Sequence, residues 1–116
     1  MDSNSPTWQN HFGFLTCRAD AVGAAIPPLA LGVAVIYTRG VETDTIHLVV
    51  ESRAGSLLDQ CLKRLQSGKL PPAESLTVSY KCELLPDPNP EAIQAACRQQ
   101  VMLAGELRRE LRPAMR

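Results

Sequence analysis

The alternation of apolar and polar positions predicts a strand over residues 75–84. Every second position of this segment is apolar, and the series comprises Leu76, Val78, Tyr80, Cys82 and Leu84. Side chains that are two residues apart lie on the same face of a strand. The pattern is therefore typical of a strand that buries one face and exposes the other.

Two segments, one before and one after this strand, have the spacing of amphipathic helices. The first helix is predicted after Ser56, which can cap its N-terminus, and is expected to end near Gly68. The second is predicted from about Pro90, with Asn89 as its cap, to about Arg112. The apolar stripe of the second helix contains Ile93, Ala96, Cys97, Ala104, Leu107 and Leu111.

Three further strands are predicted in the first half of the chain. Trp8–Cys17 reads as a strand, and Arg18–Pro28 is expected to be a loop or a short irregular turn. Leu29–Thr38 is apolar on both faces, which indicates a central strand covered on both sides. A polar turn separates it from Thr45–Glu51, so these two segments are expected to form a hairpin.

Together these elements predict an α+β fold with the order β-β-β-α-β-α. We expect a four-stranded, mainly antiparallel sheet with two helices packed on one face. Residues 1–116 are expected to form one domain, with residues 1–6 as a flexible terminus. A single core between the helices and the sheet is predicted to contain Leu58, Leu62, Val78, Tyr80, Ile93 and Cys97.

Charge and hydropathy narrow the range of partners. The chain carries 12 basic and 12 acidic residues, so no bulk attraction to nucleic acid or to an anionic membrane is expected. Residues 21–38 contain no charge and approach the length of a membrane span. Pro27 and Pro28 interrupt this stretch, and we expect no membrane association.

The four cysteines are widely separated and form no CxxC pair. Cys61, Cys82 and Cys97 each fall on the apolar face of a predicted element, where a free thiol behaves as a small buried hydrophobe. We therefore expect reduced, structural thiols and a cytoplasmic location. A cysteine–histidine nucleophile pair is a weaker alternative, because such pairs meet only in space.

The sequence contains no catalytic, metal-binding or cofactor-binding constellation. The connection between the hairpin and the first helix is a weak candidate for binding an anion or small ligand, because amides at a helix start attract negative charge. Its candidate residues are Ser52, Arg53, Gly55 and Ser56. No established phosphate-binding motif is present there.

The long terminal helix is the main candidate for association. We expect its C-terminal half to extend past the sheet and to contact a partner through Gln100, Leu103, Leu107, Arg108 and Leu111. Unpaired sheet edges offer a second contact. The first functional hypothesis is therefore a non-enzymatic interaction module, such as an adaptor, assembly factor or regulatory subunit. A homodimer, which is favoured, or a heteromeric complex is expected over an isolated monomer, and a ligand-binding regulatory domain is the alternative.

Overall fold

The computed structural model describes residues 14–53 and 56–114 of the chain. Its α-helices are α1 (Val22–Ala25), α2 (Leu57–Leu65) and α3 (Pro90–Leu111), and 3-10 turns lie at Ala19–Ala21 and Ala73–Ser75. Its strands are β1 (Leu15–Arg18), β2 (Leu31–Thr38), β3 (Thr45–Glu51) and β4 (Thr77–Glu83). The predicted order of the principal elements and the α+β class are confirmed.

The predicted helix caps are confirmed at both N-termini. The Ser56 hydroxyl accepts a hydrogen bond from the Asp59 amide at 3.3 Å, and the Asn89 side chain accepts one from the Ala92 amide at 2.8 Å. These side chains satisfy amides that have no partner within their helices. Helix α2 ends at Leu65, earlier than predicted, and Gly68 adopts the left-handed region beyond it with a φ of 78°.

The predicted loop at residues 18–28 is wrong in part, because it contains α1. Val22 and Ile26 lie one helical turn apart and are both buried, and the Ile26 amide donates to the Val22 carbonyl. A single pair of apolar residues carries no readable period, so the pattern did not reveal this turn. The predicted first strand is observed as β1, and its expected part before residue 14 lies outside the described residues.

The sheet has the strand order β1-β4-β2-β3, and every neighbouring pair is antiparallel. Strands β2 and β4 are therefore central, with a neighbour on each side. The β2–β3 register shifts between Ile36 and Tyr37. His47 lies at that irregularity, and its Nε2 is 2.7 Å from the Thr38 hydroxyl.

The helices pack on opposite faces of the sheet, so the prediction that both pack on one face is wrong. Helices α1 and α2 cover the face that includes Ala34 and Ile36. Helix α3 covers the other face, where Val33 and Val35 lie. Both sets belong to β2, which is apolar on each side, and each apolar face of a sheet has to be covered. The predicted burial of β2 on both sides is confirmed.

The expected single core is thus divided by the sheet. Leu58, Val78 and Tyr80 lie in the core beneath α2, and Leu62 packs against them partly exposed. Cys97 is buried on the α3 face, whereas Ile93 on the same helix is 37% exposed. The prediction that Ile93 belongs to the core is wrong, because its side chain faces a surface groove that is described below.

The C-terminal part of the chain covers one edge of the sheet. The Arg108 guanidinium donates to the Val49 carbonyl at 2.9 Å, and the Ala114 amide donates to the Ile46 carbonyl at 3.1 Å. Both acceptors belong to the edge strand β3. Unpaired carbonyls on an edge invite pairing with another chain, so these contacts protect the edge.

The uncharged stretch of residues 21–38 forms α1, a connection and the central strand β2. In the described part of the chain, no helix combines the length and the apolar character that crossing a bilayer requires.

Candidate functional site: an apolar groove beside α3

A groove of about 980 Å³ runs along the N-terminal half of α3. We call it the α3 groove. One wall consists of two helical stripes on α3, formed by Ile93, Cys97 and Val101 together with Gln94, Arg98 and Met102. These residues span about 14 Å of helix at ~1.5 Å per residue. The groove therefore extends over more than two helical turns.

The opposite wall comes from the connections that enter β2 and leave β4. Leu29 and Leu31 contribute from the start of β2, and Leu84, Leu85 and Pro88 contribute from the segment between β4 and α3. Pro86, Pro88 and Pro90 restrict that segment, because each ring restricts its own φ. The groove is thus built where two central strands meet the chain that leads into α3.

Exposed apolar side chains are concentrated in this groove. Six large apolar residues are exposed in the described part of the chain, and four of them line it: Leu29 at 80%, Met102 at 70%, Leu84 at 58% and Ile93 at 37%. Scattered exposed apolar residues are ordinary on protein surfaces, but a contiguous group is not. The group is therefore a candidate binding surface.

The polar groups at the groove are basic or neutral. Arg53, Ser56, Gln94 and Arg98 line it, and no acidic side chain of the described residues does. Arg98 has no ion-pair partner within residues 14–53 and 56–114. An apolar surface with a positive margin favours a ligand that is both apolar and anionic.

Glu51 holds Arg53 at the margin of the groove. The Glu51 side chain is 7% exposed and binds Arg53 Nη2 at 3.0 Å through one oxygen and Arg108 through the other. Two guanidinium groups thus share one buried carboxylate, which leaves a net positive charge. The Arg53 side chain remains 67% exposed, so its charge is held in place and still accessible to a ligand.

The predicted ligand-binding loop divides into two parts. Ser52 is fully buried, and its hydroxyl accepts a hydrogen bond from the Gly32 amide at 3.0 Å. Its side chain therefore links the end of β3 to the start of β2. Arg53 and Ser56 line the α3 groove. Gly55 lies outside the described residues. The loop therefore contributes two side chains to a larger site that the sequence pattern did not reveal.

The expected overhang of the C-terminal half of α3 is wrong. Leu107 is completely buried against Val33, Val35 and Tyr37, and Leu103 and Leu111 pack beside it partly exposed. Gln100 is 9% exposed and lines a smaller cavity of about 320 Å³ between α3 and the end of β4. Arg108 is bonded to β3. The three leucines and Arg108 hold the helix on the sheet, and the accessible apolar surface lies on the preceding turns.

Three of the thiols are poor candidates for nucleophiles. Burial raises the pKa of Cys61 to about 12. Burial also raises the pKa of Cys82, and burial together with the negative charge of Asp20 raises that of Cys17. A raised pKa lowers the fraction of reactive thiolate at neutral pH. His47 is bonded to Thr38 rather than to a thiol, and His11 lies outside the described residues.

All four cysteines are free thiols. The described residues contain no group of three or more histidine, cysteine, aspartate or glutamate side chains placed to hold a metal ion.

No protein-family model, curated protein or solved structure matches this chain. The groove is therefore the feature of the molecule on which a proposal of function rests.

Proposed function

We propose that the protein is a non-enzymatic interaction module, such as an adaptor, assembly factor or regulatory subunit, that binds another protein through the α3 groove. The observation that carries this proposal is the concentration of exposed apolar side chains along α3. Each such side chain gains about 25 cal/mol for every Å² of apolar surface that a partner covers. Leu29, Leu84 and Met102 together offer a substantial gain.

The openness of the surface favours a macromolecule over a small ligand. Small-molecule sites enclose most of their ligand and are largely preformed. Here the lining residues Leu29 and Met102 expose most of their area to solvent in the absence of a partner. A partner protein can cover both walls of the groove at once. Apolar residues at the centre of protein interfaces are buried in this way.

The sequence suggested the long helix and the unpaired sheet edges as contacts, and we favour the helix over the β3 edge. Arg108 and Ala114 already bond to carbonyls of β3. Among residues 14–53 and 56–114, no such contact covers the groove on α3. We therefore propose that the helix contributes through its N-terminal half.

A different protein suits the groove better than a second copy does. Two copies that met groove to groove would bring Arg53 and Arg98 near their counterparts, and no lining acid would offset them. A homodimer, which the sequence favoured, is thus the second candidate assembly. Sedimentation over a wide range of concentration distinguishes the two, and a monomeric mass throughout is expected. We also propose a cytoplasmic location, where reducing conditions would maintain the free thiols.

A selection of random peptides tests the binding function. Peptides of about 16 residues, roughly 24 Å long as a helix, are displayed and selected on the wild-type protein. Selected peptides should bind the double variant Leu29→Ser, Met102→Ser at least about tenfold more weakly, since two apolar anchors are lost.

The control for that selection is Val41→Ser. Val41 is fully exposed and lies outside the groove, so this variant should bind the same peptides as the wild type does. Peptides that do not distinguish the double variant from the wild type would refute the proposed surface. Thermal melting of each variant verifies the fold, because all three altered side chains are exposed.

Binding of an amphiphilic anion is the second candidate function. The observation that favours it is the presence of Arg53 and Ser56 in the lining of the groove. Calorimetric titration with dodecanoate tests it, and the variant Arg53→Gln should weaken saturable binding if this function is correct.

A further inference from the structure

From the walls and the charge of the α3 groove, we infer that its partner is an amphipathic helix with acidic residues beside its apolar stripe. This inference rests on the proposed function and specifies the partner of the same site. Three features of the groove support it: the strands that border it, the shape of its helical wall and the sign of its charge.

Strand β2, which borders the groove, is already paired on both sides. Its first residue, Leu31, pairs with Glu83 of β4, and on its other side the Gly32 carbonyl accepts a hydrogen bond from the Ser52 amide. The β2 backbone therefore offers no free row of amides and carbonyls to an extended partner at the groove. A bound segment must satisfy its own backbone, and a helix does so internally.

The helical wall has the dimensions that a second helix requires. Ile93, Cys97 and Val101 follow one another at intervals of four residues, so they form a continuous ridge. The ridge is about 12 Å long, which matches slightly more than two turns of a partner helix. Such a partner would place three apolar residues, at spacings of three or four, against this ridge and the leucines opposite.

The charge of the groove selects acidic residues on that partner. Arg98 lies in the middle of the α3 wall with no ion-pair partner among the described residues, and Arg53 is held at the margin by Glu51. A partner with glutamate or aspartate beside its apolar stripe would pair with both arginines. A partner with lysine at those positions would be repelled.

The peptides selected in the preceding experiment test this inference. We expect apolar residues at helical spacing, with acidic residues enriched at flanking positions. The variant Arg98→Glu should weaken binding of these peptides about fivefold to tenfold, and raising the salt concentration should reduce that difference. Peptides in which glutamate is replaced by lysine should show the reverse preference, with tighter binding to Arg98→Glu than to the wild type.

Arg109→Glu is the matched control. Arg109 lies on the same helix, is exposed and does not line the groove, and its replacement changes the net charge by the same amount. It should leave peptide binding unchanged. Equal weakening by both reversals would overturn the assignment of Arg98, because it would show a general charge effect.

The remaining outcomes separate this inference from the proposed function. Peptides that depend on Leu29 and Met102 but are neutral, basic or without helical spacing would overturn the acidic helix and leave the interaction module standing. A selection that yields no groove-dependent peptide would overturn both. Saturable binding of dodecanoate in that case would assign the groove to an amphiphile.

Discussion

The two halves of α3 share one apolar periodicity but have different surroundings. In the C-terminal half, Ala104 and Leu107 are completely buried against the sheet. In the N-terminal half, Ala96 and Cys97 pack on the start of β2, while Ile93 and, just past the middle of the helix, Met102 are exposed. The comparison shows that an apolar stripe identifies a helix face but does not tell whether that face is already covered within the chain.

The difference follows from where the sheet ends. The C-terminal half of α3 lies over β2 and β3, whose residues Val33, Val35 and Val49 meet it. The N-terminal half lies beside the start of β2 and the segment after β4, where the described residues supply no further strand. One half therefore packs on the sheet, and the other borders the groove.

The largest expected difference between the halves is in stability. Leu107→Ala should lower the free energy of unfolding by about 2–5 kcal/mol, because it removes a buried side chain and leaves a cavity. Met102→Ala in the exposed half should change it by less than about 0.5 kcal/mol. Urea denaturation measures both. Similar losses in the two variants would show that the halves are equally buried and would remove the basis for the groove.

Two arginines on the same helix give the next comparison. Arg108→Met should cost about 2–3 kcal/mol, because the Val49 carbonyl loses a donor and the buried Glu51 carboxylate loses one of its two partners. Arg98→Met should leave the free energy of unfolding almost unchanged, since Arg98 has no ion-pair partner among the described residues. A stability loss at Arg98 would indicate a structural role instead of a binding role. Chemical denaturation of both variants gives the result.

Cys61 serves as a reference for the closed core on the opposite face of the sheet. Its pKa in the folded protein is about 12, above the ordinary value of 9.0. This thiol therefore contributes its full stability below pH 9. As the pH rises from 9 towards 12, the unfolded chain loses the proton first, and the free energy of unfolding falls by up to about 1.4 kcal/mol per pH unit.

Urea denaturation across this alkaline range should therefore give a steeper decline for the wild type than for Cys61→Ala. The pKa values of Cys17, Cys82 and Tyr80 are also raised, so a residual decline is expected in the variant. Identical slopes would mean that Cys61 is accessible to water and that the core beneath α2 is not closed.

The smallest expected effect concerns the start of α3. Asn89→Ala removes the acceptor of the Ala92 amide and should cost about 1 kcal/mol. Amide exchange in the first turn should become faster, while exchange near Leu107 should change little, because packing on the sheet holds that half. Ser56→Ala provides the matched loss of a cap at α2. Uniform acceleration along all of α3 would show that its two halves open together.

Much of the fold was predictable from local patterns. The two-residue repeat predicted β4, and the caps at Ser56 and Asn89 predicted where α2 and α3 begin. The apolar character of both faces of Leu29–Thr38 predicted a central strand. That same feature argued for cover on both sides of the sheet, and it contradicted the expectation of two helices on one face.

The candidate site was predictable only in fragments. Arg53 and Ser56 were identified because they precede a helix, and α3 was identified because of its length. Leu29 precedes β2 and Leu84 follows β4, so three of the four strands lie between them in the sequence. No local sequence pattern links the two residues. Four residues are too few to show a period, so α1 was missed as well.

The sequence by itself determined the four strands, the two longer helices and the class of fold, because side-chain period, caps and prolines act within a few residues along the chain. Only the tertiary structure decided which face each helix covers, which half of α3 is buried and where the exposed leucines meet. Those outcomes depend on strand order and on where the central strands end. Both are set by contacts between residues that are distant in sequence, so that the same apolar stripe forms a core over one part of the sheet and a groove beyond it.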